Sequence, residues 1–269
     1  MNWGMRFVLT LALLWIPWVS YGSTLTCSEV FSLNTSQANF DAVKGLDTRL
    51  IREDGFETSR GLWEYISDLT RDFIVALDHL RSTDLWIDFG AGKAKAAEEY
   101  LSLNPKRVLP NAKVEFPLKD VEERANVLAI TYKYTRWFPK YRGEKLKILK
   151  GIFFEDLTSL PSYRLGSDNF GIFSYTSRLD HYFETTLKHL EVGGKLFIHT
   201  NFNRTWIVGK NGERLSVVDW VRKIPGIEVE FRNHHALIIT KKSLEVAVPT
   251  LHLLKYEEDM PPRRVFAEE

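Results

Sequence analysis

The sequence predicts an α/β fold of three layers, with a mostly parallel sheet, helices on both of its faces and an antiparallel hairpin at the end. Short β-branched or aromatic runs alternate with helix-forming runs from residue 59 onwards, which is typical of parallel strands joined by helices. The run LWIDF at 85–89 ends at two spaced glycines, so we expect a buried strand and a tight turn there. The last two runs, within 227–242, are joined by a polar turn at Asn233, and so short a connection requires antiparallel strands.

The elements can be predicted in order along the chain. Apolar residues at three- and four-residue spacings predict one helix beginning near Ser59, capped by Thr58 or Ser59. These apolar residues are Leu62, Ile66, Leu69, Phe73, Leu77 and Leu80. The strand at 85–89 is followed by a helix at 93–103, a short helix at 120–125 and strands at 126–135, 145–157 and 169–176. A helix at 178–192, a strand at 193–202 and a helix at 216–224 precede the hairpin.

The chain divides into four predicted segments. They are a signal peptide at 1–22, a polar lead-in at 23–58, the α/β domain at 59–245 and a tail at 246–269. The tail is charged and contains prolines, so we expect it to be surface-bound or loose.

The N-terminus predicts export. Arg6 precedes an apolar run at 7–19, and the small residues Ser20 and Gly22 suit a signal-peptidase site. The run has 13 residues, which is short for a bilayer span. We therefore expect a periplasmic or secreted protein, and an uncleaved membrane anchor formed by 7–22 is the alternative.

Composition narrows the classes of function. The formal net charge of the 269 residues is +1, so no strong field favours nucleic acid or an anionic membrane. The single cysteine, Cys27, cannot form an internal disulfide, and no cysteine–histidine cluster predicts a zinc site. We expect no nucleic-acid partner, and a membrane contact only through an uncleaved N-terminal segment.

The turn after the strand at 85–89 is the first candidate site. The strand carries Asp88 near its end, Gly90 permits a tight turn, and Gly92 lets the backbone approach a ligand. Ala94 is small enough for the following helix to pack on the strand. The alternative is a strand-to-helix turn whose glycines serve the backbone alone.

Two stretches resemble a known family. LWIDFGAGKAKAAEEYL, at 85–101, resembles the first motif of the Rossmann-like class I S-adenosylmethionine-dependent methyltransferases. LKHLEVGGKLFI, at 187–198, resembles the turn that precedes the fifth strand of that family, with Val192 in place of a proline. The closing hairpin is similar to the family's reversed last strands, and the resemblance covers about residues 60–242.

The resemblance implies a cofactor, S-adenosylmethionine, and a set of contacts. Gly90 and Gly92 would lie under its methionine portion, with Asp88 organising the loop. Glu155 or Asp156 would accept hydrogen bonds from the adenine amine, their alternative being helix capping or surface charge. Ser174 would approach the methionine end.

One position departs from the family's pattern. The family usually ends its second strand with an acid that binds both ribose hydroxyls, but here that end carries Thr131, Tyr132 and Lys133. Thr131 can make one hydrogen bond, and the loss of a bidentate carboxylate would weaken binding by about 1.5–3 kcal/mol, roughly ten- to a hundredfold. Glu115 is the alternative acid if the strand begins earlier.

Residues for proton transfer are harder to identify. His181 is a candidate base for removing a proton from the acceptor, and Asp180 is a second candidate that otherwise caps the helix beginning there. The pair His234–His235 could bind a metal, although the sequence pattern indicates no further ligands beside it. His199 and Asn201 end the fifth strand at the expected active edge, where loop hydrogen bonding is their alternative role.

Three functions remain open at this point. The first is a methyltransferase acting on a small-molecule or lipid-like acceptor. The second is an exported, non-catalytic binding or structural protein of the same fold, which the missing ribose acid and the export signal favour. The third, a nicotinamide-dependent oxidoreductase, is disfavoured by the antiparallel hairpin. No D/N-P-P-Y motif of nucleic-acid amine methyltransferases is present.

Overall fold

The computed structural model describes residues 59–102, 118–131, 141, 143–151, 153–157, 159–257 and 263–269. The predicted signal peptide and lead-in lie outside these residues, as do Thr58, Glu115, Tyr132 and Lys133.

Six α-helices are described. They are α1 (Leu62–Asp68), α2 (Arg71–His79), α3 (Lys95–Ser102), α4 (Ile172–Tyr175), α5 (Leu179–His189) and α6 (Val217–Arg222). Three short 3-10 helices lie at Val121–Glu123, Phe154–Asp156 and Phe202–Arg204.

Eleven strands are described, in two sheets. They are β1 (Leu85–Phe89), β2 (Asn126–Thr131), β3 (Leu146–Lys150), β4 (Tyr163–Asn169), β5 (Leu190–His199), β6 (Thr205–Val208), β7 (Arg214–Ser216), β8 (Ile227–Arg232), β9 (Ala236–Lys241), β10 (Leu251–Glu257) and β11 (Arg263–Glu268). The larger sheet has the order β3-β2-β1-β4-β5-β9-β8, and the smaller one β10-β11-β6-β7.

The larger sheet is parallel except at β9, which runs antiparallel to both β5 and β8. The fold class is therefore as predicted, with a mostly parallel sheet that ends in the antiparallel hairpin of β8 and β9. The hairpin turn consists of residues 233–235, in which Asn233 and His234 have φ values of 51° and 62°, in the left-handed region.

Two hydrophobic clusters lie on opposite faces of this sheet. One contains the buried residues of α1, α2 and α3, with Phe73 and Trp86 packed edge to face at 5.7 Å between ring centroids. The other contains the buried residues of α5 and α6. A helix layer on each face gives three layers and leaves the strand ends free to form a site.

The predicted helix from Ser59 is interrupted. Its apolar face is confirmed, because all six residues that define it are buried. However, the helix is interrupted at Thr70, whose φ of 76° is not helical and which precedes the first residue of α2. The N-cap of α1 is Gly61 and not Thr58 or Ser59.

The fourth strand lies earlier than predicted. The prediction at 169–176 is wrong, since β4 ends at Asn169 and 172–175 forms the helical turn α4. The physical reason is that the polar residues Ser167, Asp168 and Asn169 are buried with hydrogen-bond partners, which a hydrophobic pattern does not reveal.

The smaller sheet was not predicted. Strand β11 pairs parallel with β6 and antiparallel with β10, and it buries Arg264 and Phe266. The segment that composition predicted to be surface-bound or loose thus contains two strands with buried side chains.

Candidate functional site

The expected site lies at the carboxyl ends of β1 and β4, which are adjacent parallel strands. From β1 the sheet continues to β2 and β3 on one side, and from β4 it continues to β5 on the other. Such a reversal of direction opens a crevice beyond the strand ends, where ligands of α/β proteins bind.

The glycine turn after β1 is tightly held. The backbone N–H groups of Gly90 and Ala91 both donate to the Ile130 carbonyl, at 3.0 and 2.9 Å. Gly90, Gly92 and Ala94 all have positive φ, at 82°, 54° and 51°. Ala94 is fully buried in the cluster beneath α3, as its small size predicts.

Gly90 has a structural reason to be glycine within the chain itself. A Cβ at Gly90 would lie 2.3 Å from Gly171 Cα, and a Cβ at Gly171 would lie 2.0 Å from the Phe89 carbonyl oxygen. The backbones that follow β1 and β4 therefore touch, and both contact positions require glycine whether or not a ligand binds.

Asp88, two residues before Gly90, is fully buried. Its carboxyl group accepts hydrogen bonds from Tyr65 Oη at 3.0 Å and from Ser167 Oγ at 2.9 Å, and Trp86 Nε1 donates to the same Ser167 Oγ at 2.8 Å. Burial raises the pKa of Asp88 to about 7, although both hydrogen bonds oppose the shift. Asp88 thus joins α1, β1 and β4, and its role toward the glycine loop stays a prediction.

Asp168 organises the loop after β4 in the same way. Its Oδ1 accepts from the Gly171 N–H at 2.9 Å, and its Oδ2 accepts from the Phe173 N–H at 2.8 Å and from Tyr182 Oη at 3.0 Å. Burial raises its pKa to about 7 as well. These bonds shape the turn that presses Gly171 against Gly90, and they explain why α4 forms where a strand was predicted.

The predicted adenine end contains an unsatisfied acceptor. Glu155 and Asp156 lie in the 3-10 turn after β3, where Glu155 Oε1 accepts from Thr176 Oγ1 at 2.5 Å. Asp156 Oδ2 is buried, and no described residue hydrogen-bonds it. Burial and then the neighbouring Glu155 raise the pKa of Asp156, while His181 opposes the shift. A buried acceptor without a donor indicates a place where a ligand N–H group would be stabilising.

Thr131 and Ser174 have less direct positions. Thr131 is the last residue of β2 and is buried, and its carbonyl accepts from the Gly151 N–H at 3.0 Å. Ser174 is buried in α4, where its Oγ donates to Thr200 Oγ1 at 2.8 Å. The sequence places Ser174 at the end of the fourth strand, and that position is wrong because β4 ends at Asn169. Its role toward a cofactor stays a prediction.

His181 and Asp180 begin helix α5. The His181 ring lies edge-on to Phe154, with 5.9 Å between centroids, which places it beside the turn that carries Asp156. The helix begins at Leu179 with Arg178 at the N-cap, so the expectation that Asp180 caps it is wrong. Asp180 Oδ2 instead accepts from the Leu251 N–H at 3.4 Å and links the helix to β10.

A polar cluster that the sequence did not reveal lies at the ends of β4 and β5. Asn169 Nδ2 donates to Asp68 Oδ2 at 2.9 Å, and His199 Nδ1 lies 2.9 Å from Asn169 Oδ1. Among these residues only His199 was a sequence candidate. The run GSDN before a helical turn is the signal that could have indicated Asn169, whereas nothing local distinguishes Asp68 from other helical acids.

The other candidates are separate from this cluster or at its border. The His235 ring lies 5.1 Å from that of His199, while His234 lies edge-on to Phe231. Asn201 precedes a short 3-10 helix at the surface. In the part of the chain that the structure describes, no group of three or more His, Cys, Asp or Glu residues could hold a metal ion. The described helices are all too short or too polar to cross a membrane.

Comparisons with known proteins give structural matches alone. No protein-family model matches the sequence, and no curated protein does.

A phosphoethanolamine N-methyltransferase of Haemonchus contortus, solved with phosphomonomethylethanolamine and S-adenosylhomocysteine, is 12% identical over 78% of this chain, with a TM-score of 0.43. MnmC2 of Aquifex aeolicus is 13% identical over 72% of this chain, with a TM-score of 0.42. The N-methyltransferase NodS of Bradyrhizobium japonicum is 9% identical over 76% of this chain and 98% of its own, with a TM-score of 0.42. The match spans 61% and 63% of the first two proteins' lengths.

Proposed function

We propose that this protein is an S-adenosylmethionine-dependent methyltransferase that acts on a small-molecule or lipid-like acceptor. The observation that carries the proposal is the pairing of the sheet order, with its reversed β9, and a buried acceptor without a donor, Asp156 Oδ2, just after β3. That end of the third strand is where the resemblance places the adenine amine.

The residues present fit the cofactor at its adenine end. Asp156 would accept from the amine, the turn at Gly90 and Gly92 would lie beneath the methionine portion, and Thr131 would offer one hydroxyl to the ribose. When bound, S-adenosylmethionine supplies a methyl group on a sulfonium, an electrophile that needs an aligned nucleophile. The chain's own residues hold the two partners and remove the proton that the nucleophile loses.

Calorimetric titration of the full-length protein with S-adenosylhomocysteine tests this proposal. We expect one site with a dissociation constant in the micromolar to high-micromolar range, because Thr131 replaces a bidentate acid. The absence of heat at millimolar ligand would overturn the enzyme function. Titration with NADH serves as the control, since the oxidoreductase alternative requires it to bind instead.

A second function is supported by one contact. The backbone of Gly171 touches Gly90, so the glycine turn is explained without a ligand. Together with Thr131 at the ribose position, this contact supports a non-catalytic binding or structural protein of the same fold. The same titration separates the two, since this alternative predicts no S-adenosylhomocysteine binding.

We also propose that the protein is exported through residues 1–22. Support comes from the sequence alone: Arg6, the apolar run and the small residues that follow it. Cell fractionation with N-terminal sequencing tests the proposal. A mature start near Ser23 outside the cytoplasm supports it, and an intact Met1 in the membrane fraction supports the anchor instead.

A further inference from the structure

Three elements bring a histidine, an amide and a carboxylate together at the ends of β4 and β5. Asp68 is the last residue of α1, Asn169 the last of β4 and His199 the last of β5. Asn169 Nδ2 lies 2.9 Å from Asp68 Oδ2, and Asn169 Oδ1 lies 2.9 Å from His199 Nδ1. The three side chains form a chain of hydrogen bonds that runs from the surface helix to the edge of the site.

The chemistry of these groups fixes the direction of each bond. A carboxylate accepts only, so the Asn169 amide must turn its NH₂ group toward Asp68. Its carbonyl oxygen then faces His199, and because that oxygen also accepts only, His199 Nδ1 must carry the proton. In a neutral imidazole, one nitrogen is protonated and the other bears a lone pair. The lone pair of His199 is therefore placed on Nε2.

The surroundings keep this imidazole neutral. The groups that face it are Asp68 from α1, Arg60 from the segment before α1 and His235 from the hairpin turn. Burial lowers the pKa of His199 to about 4, with His235 and Arg60 acting in the same direction and Asp68 opposing them. The Phe170 ring packs edge-on at 4.7 Å between centroids.

The backbone beside His199 is strained. Phe170 has a φ of 51°, which is unfavourable for an aromatic residue, and its N–H donates to the His199 carbonyl at 2.8 Å. Strain of this kind persists where the surrounding structure holds it, and it concentrates at functional sites. None of the described residues hydrogen-bonds His199 Nε2, and the side chain is 13% exposed.

We propose that His199 Nε2 takes the proton from an O–H or N–H group of the methyl acceptor, with Asp68 and Asn169 as positioning residues that fix its tautomer. The inference rests on the proposed function. As the acceptor's oxygen or nitrogen gains the methyl group, its bond to hydrogen breaks and the proton forms a bond with the Nε2 lone pair. The imidazolium that results then returns the proton to water. In this proposal His199 takes the role for which His181 and Asp180 are the sequence candidates.

The tautomer is the first test, and it needs no cofactor. In the full-length protein with ¹⁵N-labelled histidine, His199 should show a protonated Nδ1 and an unprotonated Nε2. His79, whose Nδ1 lies 2.6 Å from the Val75 carbonyl, gives an internal reference for the same tautomer. A protonated Nε2 on His199 would overturn the proposal.

Two substitutions of one residue sharpen this test. Asp68→Asn keeps an acceptor oxygen for Asn169, so the tautomer should persist. Asp68→Ala removes the acceptor, so the amide can rotate and the protonated-Nε2 form should reach at least about half of the signal. Asp68 is partly exposed, so both variants should fold. An identical tautomer in Asp68→Ala and the wild type would remove the positioning role.

Carbethoxylation with diethyl pyrocarbonate tests the accessibility of the lone pair, because the reagent needs an unprotonated imidazole nitrogen. N-acetylhistidine amide, with a pKa of about 6.5, should lose roughly 90–97% of its reactivity between pH 7.5 and pH 5. His199 should lose little, so its modification relative to this reference should rise tenfold or more. No modification of His199 at either pH would contradict the proposal.

The two proposals can fail separately. If S-adenosylhomocysteine binds but His199 carries its proton on Nε2, the methyltransferase function stands and the role of His199 falls. If the tautomer is as expected but no cofactor binds, the enzyme function falls and the proton-accepting role falls with it, leaving His199 as a hydrogen-bond acceptor only.

Discussion

Two carboxylates at the same edge of the sheet differ in their burial and in their hydrogen bonds. Asp88 is fully buried, and both of its oxygens accept hydrogen bonds from within the chain. Asp156 is partly buried, and its Oδ2 is buried with no donor among the described residues. The pKa of each is raised, in both cases chiefly by burial.

This difference separates architecture from recognition. A fully buried carboxylate that accepts hydrogen bonds on both oxygens joins elements together and is not accessible to a ligand. One that retains an unused acceptor in a buried position is stabilised when a donor arrives. By this criterion, the methionine end of the site is built by the chain for its own stability, and the adenine end is where binding energy is available.

Gly90→Ala should produce the largest effect. Alanine at φ 82° is strained by about 1–2 kcal/mol, and the contact with Gly171 adds about 1–3 kcal/mol, so the free energy of unfolding should fall by up to about 5 kcal/mol. Gly212→Ala is the matched control, because Gly212 has a φ of 78° and nothing within 4 Å of its Cβ position. In urea denaturation, the free energy of unfolding of Gly212→Ala should fall only by the strain of about 1–2 kcal/mol.

These two glycine variants also test whether the methionine end of the site serves the fold or the ligand. If Gly90→Ala is no less stable than Gly212→Ala but loses S-adenosylhomocysteine binding, the glycine serves the ligand and the methionine end is not architectural.

The pH dependence of stability should show the buried carboxyl of Asp88. An unfolded aspartate has a pKa of 3.8 and the folded one about 7, so between these values the folded protein holds a proton that the unfolded chain lacks. The free energy of unfolding therefore falls as pH rises through this window and levels off above it. Urea denaturation at about pH 5 and pH 8 should show a loss that Asp88→Asn reduces by roughly 3 kcal/mol.

Asp168 contributes a loss of the same sign, so some pH dependence should remain in that variant. An unchanged slope in Asp88→Asn would mean that Asp88 is ionised at neutral pH in the folded protein.

Asp156→Ala should act on binding and leave stability nearly unchanged. Removing the unused acceptor should weaken S-adenosylhomocysteine binding roughly ten- to a hundredfold in calorimetry. Glu155→Ala is the matched control, because the Glu155 oxygen is already bonded to Thr176. The reverse pattern, with Glu155→Ala the weaker binder, would assign the adenine amine to Glu155.

The smallest expected effect is the pH dependence of that binding. Because the pKa of Asp156 is raised, acidification from neutral pH should protonate it and weaken binding by a few-fold, an effect absent from Asp156→Ala. Titrations at a series of pH values measure this change, and a parallel response in both proteins would attribute it to another group.

The sequence predicted elements whose burial follows a hydrophobic pattern. Strand β1 was predicted at its observed bounds, and β2 and the hairpin were located by their β-branched and apolar residues. The third predicted strand, 145–157, contains β3 but is too long, because residues 154–156 form a 3-10 turn. Strand β4 was misplaced because its core-facing polar residues are satisfied by partners far along the chain, such as Trp86 and Asp88.

The site divides in the same manner. A local motif indicated Asp88, Gly90 and Gly92, whereas Asp68 and Asp168 owe their roles to contacts that only the folded chain creates. Strands β10 and β11 are similarly hidden, because charged residues and prolines lower the local strand signal, and the partner that stabilises β11 lies in β6.

Arg264 has a consequence for the order of assembly. It is buried in β11, its guanidinium donates to the Thr176 carbonyl and to Thr205 Oγ1, and the latter contact spans 59 residues of sequence. Loops of that length close slowly, so the pairing of β6 with β11 should follow the local hairpins β6–β7, β8–β9 and β10–β11. Until β11 pairs with β6, the loop after β4 lacks the cation that bonds the Thr176 carbonyl.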